Sequence, residues 1–372
     1  MNKPIIIDPK IKDLKTIKKE YCPYKVIDTY KEQLEDLFLI RNPHYKFNKN
    51  YQDDFEKFVN SQAIDGSLEK CGSWVYFPWN NILVHYLSDP DHQEVRTARN
   101  RNLLTEEEQK KFYKLRVGVA GLSVGSHGAL TTVVMGGAKL IKLADPDTIS
   151  PTNLNRMRFD FLDIGVNKTE KVSHYIYQLN PYADVYSYTS GITDENINDF
   201  LEDIDVLVEE LDDIEVKVKM REMAKIRKIP VVMVTDNGHN VIVDVERFDT
   251  NPDLPVFYGS LDGFNLREIK TNPAKMFEAM AKIIDVSLVP PRVLNSVLEV
   301  GRTLYSWPQL ASAATLSGVV IAYLLKRIAL NEPIKEGKYE INLDEILDPN
   351  YETDKIIRDE ELKKFLKAIS VK

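Results

Sequence analysis

Short apolar runs and amphipathic stretches alternate regularly along the middle of the chain. From Arg116 onward, five segments have the apolar and β-branched character of buried strands: RVGVAGL, KLIKLAD, DVYSYTS, DVLVEEL and IPVVMVTD. The segments between them show helical periodicity, as in GSHGALTTVVMGGA and KTEKVSHYIYQLN. Repeated strand–helix–strand units predict an α/β fold with a mostly parallel central sheet flanked by helices.

The pattern before this region is less regular. The first 95 residues combine a helical stretch, TYKEQLEDLFLIR, with an aromatic strand-like stretch, SWVYFPWNNILVHYL. After a charged connector, the spacing of Thr105 and Glu108 predicts a capping box and a short helix that ends near Lys114. We therefore predict a small N-terminal accessory α/β region, residues 1–95, and a larger domain, residues 96–372.

The longest apolar run extends from Leu310 to Leu325 and is interrupted by small polar residues. It falls short of a bilayer span, so we predict a buried helix. The opening segment, MNKPIIIDPKIKD, has an apolar run too short for a signal peptide. Near the other end, KYEINLDEIL predicts a late strand and DEELKKFLKAIS a terminal helix.

Composition narrows the classes of protein that fit. The chain has 372 residues, 43% of them hydrophobic, which is enough to bury a large core. The net charge of −8, with basic and acidic residues mixed throughout, argues against a strongly basic surface that binds nucleic acid. Two cysteines, Cys22 and Cys71, make neither a disulfide framework nor a four-cysteine zinc site. We predict a cytoplasmic protein without zinc that binds neither membrane nor nucleic acid.

Parallel sheets bind ligands outside the carboxyl ends of their strands, so residues that follow each strand are candidates. After the first strand, the loop VAGLSVGSHGA contains Gly121, Ser123 and Gly125. These small residues would let backbone N–H groups approach a phosphate. The loop departs from the G-x-G-x-x-G pattern, because Ser123 and Ser126 stand at two glycine positions. A tight turn that binds no ligand is the alternative.

Asp145 ends the second strand, where a Rossmann-like unit commonly has an acid that binds ribose hydroxyls. A carboxylate that caps the following turn is the alternative. The loop ADPDTISPTNLNRMR then supplies Asn153 and Arg156, and Lys168 opens the next helix. A guanidinium and an ammonium group suit phosphates better than nicotinamide. A cation at the first helical position opposes the helix dipole, and a polyanion bound there would explain the choice of lysine. A solvated lysine is the alternative.

Acidic residues cluster after the strand DVLVEEL: Glu209, Glu210, Asp212 and Asp213. Carboxylates at this place either serve the positive end of the next helix or bind a hard cation such as Mg²⁺. The spacing alone does not decide between these roles.

The segment DPDTISPTNLNRMRF with DIGVNKTEKV resembles the signature of the ThiF/MoeB superfamily, adenylating enzymes that include the activators of ubiquitin-like proteins. The shared pattern is an aspartate-rich strand end, an N-x-x-R loop and a lysine that opens the next helix. The resemblance implies that Asp145 binds the ribose of ATP. It also implies that Asn153, Arg156 and Lys168 hold the triphosphate.

Two further roles are implied by the same resemblance. Asp212 matches the strand-end aspartate that helps to place Mg²⁺ on the ATP phosphates, with Asp213 as the alternative. The segment ARNRNLLTEEEQ resembles the R-Y-x-R-Q segment before the family's core. Arg101 would then reach the γ-phosphate bound to a partner subunit, which implies a homodimer. A surface arginine is the alternative.

The implied activity is ATP-dependent adenylation of a carboxylate, with release of pyrophosphate. Its catalytic residues would be Arg156, Lys168, Asp212 and Arg101. The acid would be the C-terminus of a peptide or of a ubiquitin-like or sulfur-carrier protein, or a small molecule. No cysteine follows Cys71 and the family's C-x-x-C zinc motif is missing, so we expect no internal thioester. An NAD(P)-dependent oxidoreductase and a non-catalytic nucleotide-binding partner protein are the alternatives.

Overall fold

The computed structural model describes residues 3–48, 50–265, 268 and 271–370. The chain forms two compact units: one comprises Met1–Lys110 and Ile176–Ala183, and the other comprises Lys111–Tyr175 and Asp184–Lys372. The first unit thus combines the N-terminal region with a short segment from much later in the chain. The division at residue 95 remains a prediction.

The first unit contains a four-stranded sheet in the spatial order β1-β3-β4-β2. Its strands are β1 (Ile5–Ile7), β2 (Lys25–Ile27), β3 (Ser73–Phe77) and β4 (Ile82–Tyr86). Its helices are α1 (Leu14–Tyr21), α2 (Tyr30–Arg41), α3 (Gln52–Gln62) and α4 (Asp89–Arg96). The aromatic residues form a core within this unit, because Trp74 is fully buried and Phe38 packs against Phe55.

Helix α4 occupies the segment that the sequence pattern predicts as a charged connector, so that prediction is wrong. Asp89 and Asp91 lie in its first turn, where negative charge favours the helix dipole, and Pro90 fits the same turn. The next helix, α5 (Glu106–Lys114), agrees with its prediction. Thr105 and Glu108 form the capping box: each side chain accepts the other residue's N–H, at 3.2 Å and 2.7 Å respectively.

The second unit is built on a seven-stranded sheet in the order β11-β10-β9-β8-β5-β6-β7. Its strands are β5 (Arg116–Ala120), β6 (Leu140–Ala144), β7 (Asp184–Tyr188), β8 (Val206–Glu209), β9 (Val231–Asn237), β10 (Asn240–Glu246) and β11 (Gly337–Ile341). All pairings from β9 to β7 are parallel, whereas β10 and β11 are antiparallel to their neighbours. The mostly parallel sheet with flanking helices confirms the predicted α/β class.

The remaining helices connect and flank these strands. They are α6 (Val124–Val134), α7 (Lys168–Leu179), α8 (Ile197–Leu201), α9 (Ile214–Ile226), α10 (Pro273–Ile284), α11 (Pro291–Glu299), α12 (Ala311–Ala329), α13 (Asp344–Leu347) and α14 (Tyr351–Ser370). Strand order reverses between β5 and β8, since the chain goes from β5 to β6 on one side and returns to β8 on the other. This reversal opens a crevice at the carboxyl ends of β5 and β8.

Helix α12 is the buried helix that the apolar run predicts. Within the described residues it is long and apolar enough to cross a membrane, but half of its apolar window is buried. It packs closely on α6 through two glycines. A Cβ atom on Gly318 would lie 2.6 Å from the Cβ of His127, and one on Gly128 would lie 2.6 Å from Ile321. The α6–α12 contact therefore depends on backbone approach that side chains would prevent.

Candidate functional site

The loop between β5 and α6 lies at the crevice and is shaped by two glycines. Gly121 has a φ of +88°, and a Cβ atom there would lie 2.2 Å from the carbonyl oxygen of Glu210. A Cβ on Gly125 would lie 2.8 Å from Val119, so this glycine lets α6 approach β5. Ser123 precedes α6, and its hydroxyl is buried without a hydrogen-bond partner among the described residues. The loop thus has a buried polar group available to a ligand.

Asp145 connects this loop to the end of β6. Its buried carboxylate accepts hydrogen bonds from the N–H of Leu122 at 2.7 Å and of Asp147 at 2.9 Å. The turn-capping role proposed as an alternative is therefore present. Each carboxylate oxygen can accept a further hydrogen bond, so capping leaves room for a ribose hydroxyl.

Lys168 is the first residue of α7 and lies against two carboxylates. Asn167 caps the helix by accepting the N–H of Thr169 at 2.9 Å. The Lys168 Nζ lies 2.8 Å from Asp147 and 3.4 Å from Asp145. Only 5% of the residue is exposed, so the solvated-lysine alternative is wrong. A buried ammonium group therefore stands beside the predicted ribose-binding carboxylate.

The loop after β6 holds Asn153 and Arg156. The Asn153 side-chain oxygen accepts the Ser150 N–H at 3.0 Å, which fixes a short 3-10 helix. One Arg156 nitrogen, Nη1, donates to the Thr152 carbonyl at 3.1 Å and to the Asn155 side chain at 2.9 Å. Its Nε is buried and has no partner among the described residues, and burial lowers the pKa of Arg156. A bound anion would satisfy this nitrogen.

The acidic residues after β8 divide into different roles. Asp213 caps α9 by accepting the N–H groups of Glu215 and Val216, at 2.9 Å and 3.1 Å. Asp212 is exposed and takes no part in this cap. Although solvent reaches it, partial loss of hydration raises the pKa of Asp212, and the charge of Lys168 opposes that increase. Asp212 is therefore the carboxylate left to face a ligand.

The two glutamates serve the fold. Glu209 is fully buried and pairs with Lys217 at 2.8 Å and with Arg221 at 2.9 Å. Glu210 accepts the N–H of Val234 at 2.7 Å, and burial raises its pKa well above the ordinary value. Glu209 is thus engaged by two cations, and Glu210 is bonded to the backbone of β9.

The described residues contain no group of three or more His, Cys, Asp and Glu side chains that could hold a metal ion. Mg²⁺ needs few protein ligands when phosphate oxygens supply the others. The single unused carboxylate of Asp212 fits such a shared site. Its role as a Mg²⁺ ligand remains a prediction.

Asp236 is a site residue that the sequence prediction missed. It is the next-to-last residue of β9, and its carboxylate accepts hydrogen bonds from the Ser317 hydroxyl at 3.0 Å and from the Gln309 amide at 3.4 Å. Burial raises the pKa of Asp236 to about 6, while the charge of Arg156 opposes the increase. The signal was present, because IPVVMVTD ends in aspartate as LIKLAD does.

His127 is a second missed residue. Its Nε2 lies 2.8 Å from the Arg156 carbonyl oxygen, and the residue is 2% exposed. Burial lowers the pKa of His127, so the neutral ring donates this hydrogen bond. His127 thereby attaches the arginine loop to α6.

Arg101 belongs to the first unit and has partners there. Its guanidinium pairs with Glu94 at 2.7 Å and donates to the Ile40 carbonyl at 3.2 Å. These bonds do not test a contact with a γ-phosphate in a partner subunit. That role, and the homodimer it implies, remain predictions.

Three of the predicted elements are thus brought together by direct contact: the glycine loop, Asp145 and Lys168. Asp212 and Arg156 join them through electrostatic interaction, since the Asp212 carboxylate acts on the pKa of Arg156 and Lys168 acts on that of Asp212. All five lie at the carboxyl edge of the sheet in the second unit. The arrangement combines cations and the backbone N–H groups of a loop of small residues, which are groups that bind nucleotide phosphates. It also has a carboxylate, Asp212, outside the helix cap.

A family model and several known proteins are similar to parts of this chain. Residues 97–249 match the model of the ThiF family. The uncharacterized protein MT1398 of Mycobacterium tuberculosis is 37% identical over 284 residues, which cover 76% of this chain and 39% of that protein. The tRNA threonylcarbamoyladenosine dehydratase 1 of Saccharomyces cerevisiae is 28% identical over 140 residues, covering 36% of this chain and 33% of that protein.

A third relative is the adenylyltransferase and sulfurtransferase UBA4 of Kluyveromyces lactis, 28% identical over 115 residues, which cover 29% of this chain and 26% of that protein. The chain thus spans less than half the length of these curated relatives. The matched residues 97–249 include the glycine loop, Asp145, Arg156, Lys168 and Asp212. Through this segment, the chain is similar to the ThiF family.

Proposed function

We propose that the protein is an ATP-dependent adenylyltransferase that activates a carboxylate as an acyl adenylate. The observation that carries this proposal is the contact of Lys168 with Asp145, whose carboxylate also holds the glycine loop at the crevice. The acid that we propose for ribose, a buried cation and the loop that we propose for phosphate are joined there by direct contacts. The match of residues 97–249 to the model of the ThiF family supports the same activity.

In this proposal each residue has a role that follows from its surroundings. Asp145 accepts a ribose hydroxyl with its remaining lone pairs, and Ser123 and Gly121 line the phosphate loop. Lys168 and Arg156 stabilise negative charge that develops on phosphate oxygens, because Arg156 has an unpartnered Nε. Asp212 would hold Mg²⁺, which when bound neutralises the pyrophosphate that leaves.

The reaction needs no side-chain nucleophile. The substrate carboxylate attacks the α-phosphorus in line, and pyrophosphate leaves from the opposite side. The C-terminus of a peptide or small protein is the acid that we propose, with a small-molecule acid as the other source. The relative named adenylyltransferase and sulfurtransferase supports the reaction class but leaves the acid open.

Pyrophosphate exchange into ATP tests the proposal. The full chain is mixed with ATP, Mg²⁺, labelled pyrophosphate and a panel of acetylated peptides and small carboxylic acids. We expect exchange with at least one acid, and a loss of about 100-fold or more in Arg156→Ala and Asp212→Ala. Asp253→Ala, an exposed aspartate of the same unit, is the matched control and should keep the exchange.

Two outcomes would contradict the proposal. ATP binding without exchange for any acid would favour a non-catalytic nucleotide-binding protein. Binding of NAD(H) without binding of ATP would favour an oxidoreductase instead.

A further inference from the structure

Asp236 and Arg156 form an opposite-charge couple without direct contact. Each affects the pKa of the other, so they lie within electrostatic reach. Both are among the described residues, which show no ion pair between them within 4.0 Å. Each of the two charges therefore remains able to interact with a group that binds at this edge of the sheet.

The Asp236 carboxylate is oriented by hydrogen bonds from residues around the start of α12. Ser317 and Gln309 each donate to one carboxylate oxygen, and the backbone carbonyl of Gln309 accepts from the Asn155 amide at 2.9 Å. Gln309 thus connects Asp236 to the loop that carries Arg156. These bonds orient the carboxylate but leave each of its oxygens able to accept another hydrogen bond.

The position of Asp236 destabilises the folded state when its carboxylate is ionised. Burial opposes ionisation of Asp236, and no cation pairs with it among the described residues. A carboxylate that is oriented by two donors and left without a counter-ion at a ligand-binding edge is a candidate functional group. Glu210 also faces it electrostatically, and adds no positive charge.

The charges around Asp236 favour a positively charged second substrate. The carboxylates of the site are Asp145, Asp147, Asp212 and Asp236, and the cations that act on them are Lys168, Arg156 and Lys217. Lys217 is already paired with Glu209. Lys168 is already paired with two of the four carboxylates. An ammonium group would be attracted to Asp236, whereas a thiolate would be repelled.

We propose that Asp236 is a catalytic residue of a second step, in which it accepts the proton of a primary amine that attacks the acyl adenylate. The protein would then join a carboxylate to an amine. This inference rests on the proposed function, because it needs the acyl adenylate as its substrate. It also supplies an acceptor for the activated acyl group, since the chain has no cysteine after Cys71 that would accept it as a thioester.

The step balances without an oxidant or a further reactant. The ammonium group first gives one proton to Asp236, which passes it to solvent. The nitrogen lone pair then forms the C–N bond to the acyl carbon, and the adduct loses its second proton to the same carboxylate. The C–O bond to the phosphate breaks, and AMP leaves with the electron pair.

Two amines of different charge test the role of Asp236. The acid that supports pyrophosphate exchange is incubated with ATP and either methylamine, which is charged at neutral pH, or hydroxylamine, which is uncharged. Only methylamine has to lose a proton before it attacks. We expect Asp236→Asn to lower the ratio of amide to hydroxamate by about 100-fold, as general-base catalysis predicts. Asp253→Asn should leave the ratio unchanged.

The outcomes separate this inference from the proposed function. Absence of exchange in the unaltered protein overturns the proposed function. Exchange followed by hydrolysis alone, without amide in the unaltered protein, overturns only the amine acceptor. An unchanged ratio in folded Asp236→Asn overturns the role of the carboxylate, and so does an equal loss of both products.

Circular dichroism establishes whether Asp236→Asn folds. If it does not, Ser317→Ala replaces it, since this variant removes one of the two hydrogen bonds that orient the carboxylate. A fall in the ratio of about threefold or more would support the inference at the scale of one hydrogen bond. An unchanged ratio would overturn it.

Discussion

Gly121 is the residue at which conformation and close packing coincide. An alanine there would have a positive φ and a Cβ atom 2.2 Å from the backbone oxygen of Glu210. We expect Gly121→Ala to lower the free energy of unfolding by about 4 kcal/mol, measured by urea denaturation, and to abolish ATP binding.

Gly165→Ala separates the two causes. Gly165 has a similar φ of +87°, but a Cβ atom there would meet nothing within 4 Å. Its replacement should cost about 1 kcal/mol, which is the conformational cost alone. Equal losses in the two variants would show that the contact with Glu210 does not matter.

Asp236 gives a prediction for stability against pH. Its pKa rises from 3.8 to about 6 on folding, so the folded state holds this proton more tightly and ionisation destabilises it. Asp236→Asn should therefore be more stable than the unaltered protein above pH 6, by about 1–2 kcal/mol after allowance for solvent screening. The gain should shrink as the pH falls from about 6 to 3.8 and vanish below that range. Urea denaturation across this range measures it, and a gain that grows toward low pH would contradict the assignment.

Residue-level prediction from the sequence succeeded where one local motif contains the chemistry. Asp145 and Lys168 were identifiable because a strand end and a helix start mark their places, and the structure brings them into contact. His127 could not be identified, because a histidine inside a helix gives no sign that it will meet a carbonyl 29 positions away. Asp236 depends on Ser317, 81 positions later, so only the fold explains its pKa.

At the scale of elements, the contact between α6 and α12 links the core to the site. Gly318 lies on His127, and His127 donates to the Arg156 carbonyl. We expect Gly318→Ala to lower the free energy of unfolding by about 1–2 kcal/mol, because overpacking outweighs the better helix propensity of alanine. It should also weaken ATP binding, measured by calorimetry, because the arginine loop loses its anchor.

Thr315→Ala is the matched control for this prediction. Thr315 lies on the exposed face of the same helix, so its replacement should leave stability and ATP binding nearly unchanged. Loss of stability in Gly318→Ala with unaltered ATP affinity would show that α12 does not position Arg156.

Elements were predictable where periodicity is strong. The five parallel strands and the capping box of α5 follow from apolar runs and spacing, and both are present. Helix α4 was missed because its polar sequence has no buried residue to mark a helical face. Its helical turns are favoured by acidic residues and proline at the start instead.

At the scale of the whole molecule, the first unit includes Ile176–Ala183. Within that unit, the Tyr182 hydroxyl donates to the Leu87 carbonyl at 2.5 Å, and His92 bonds the Leu179 carbonyl at 3.1 Å. A fragment of residues 96–372 would keep Tyr182 and Leu179 but lose these partners. We expect it to unfold about 5 °C or more below the full chain in a thermal melt. An unchanged melting temperature would support residue 95 as a true domain boundary.

The last strand of the larger sheet has a consequence for the order of folding. Strand β11 pairs with β10, and beside them the Arg247 N–H reaches Glu336 across 89 positions of chain. Closing so long a loop carries an entropic cost before the pairing is gained, so non-local strands join slowly. During synthesis the edge of β10 therefore stays open until the chain beyond Glu336 has emerged, and pulse-labelled hydrogen exchange should show β11 protected later than β5 and β6. Until then, the unpaired N–H and C=O groups of β10 can pair with a strand of a neighbouring chain.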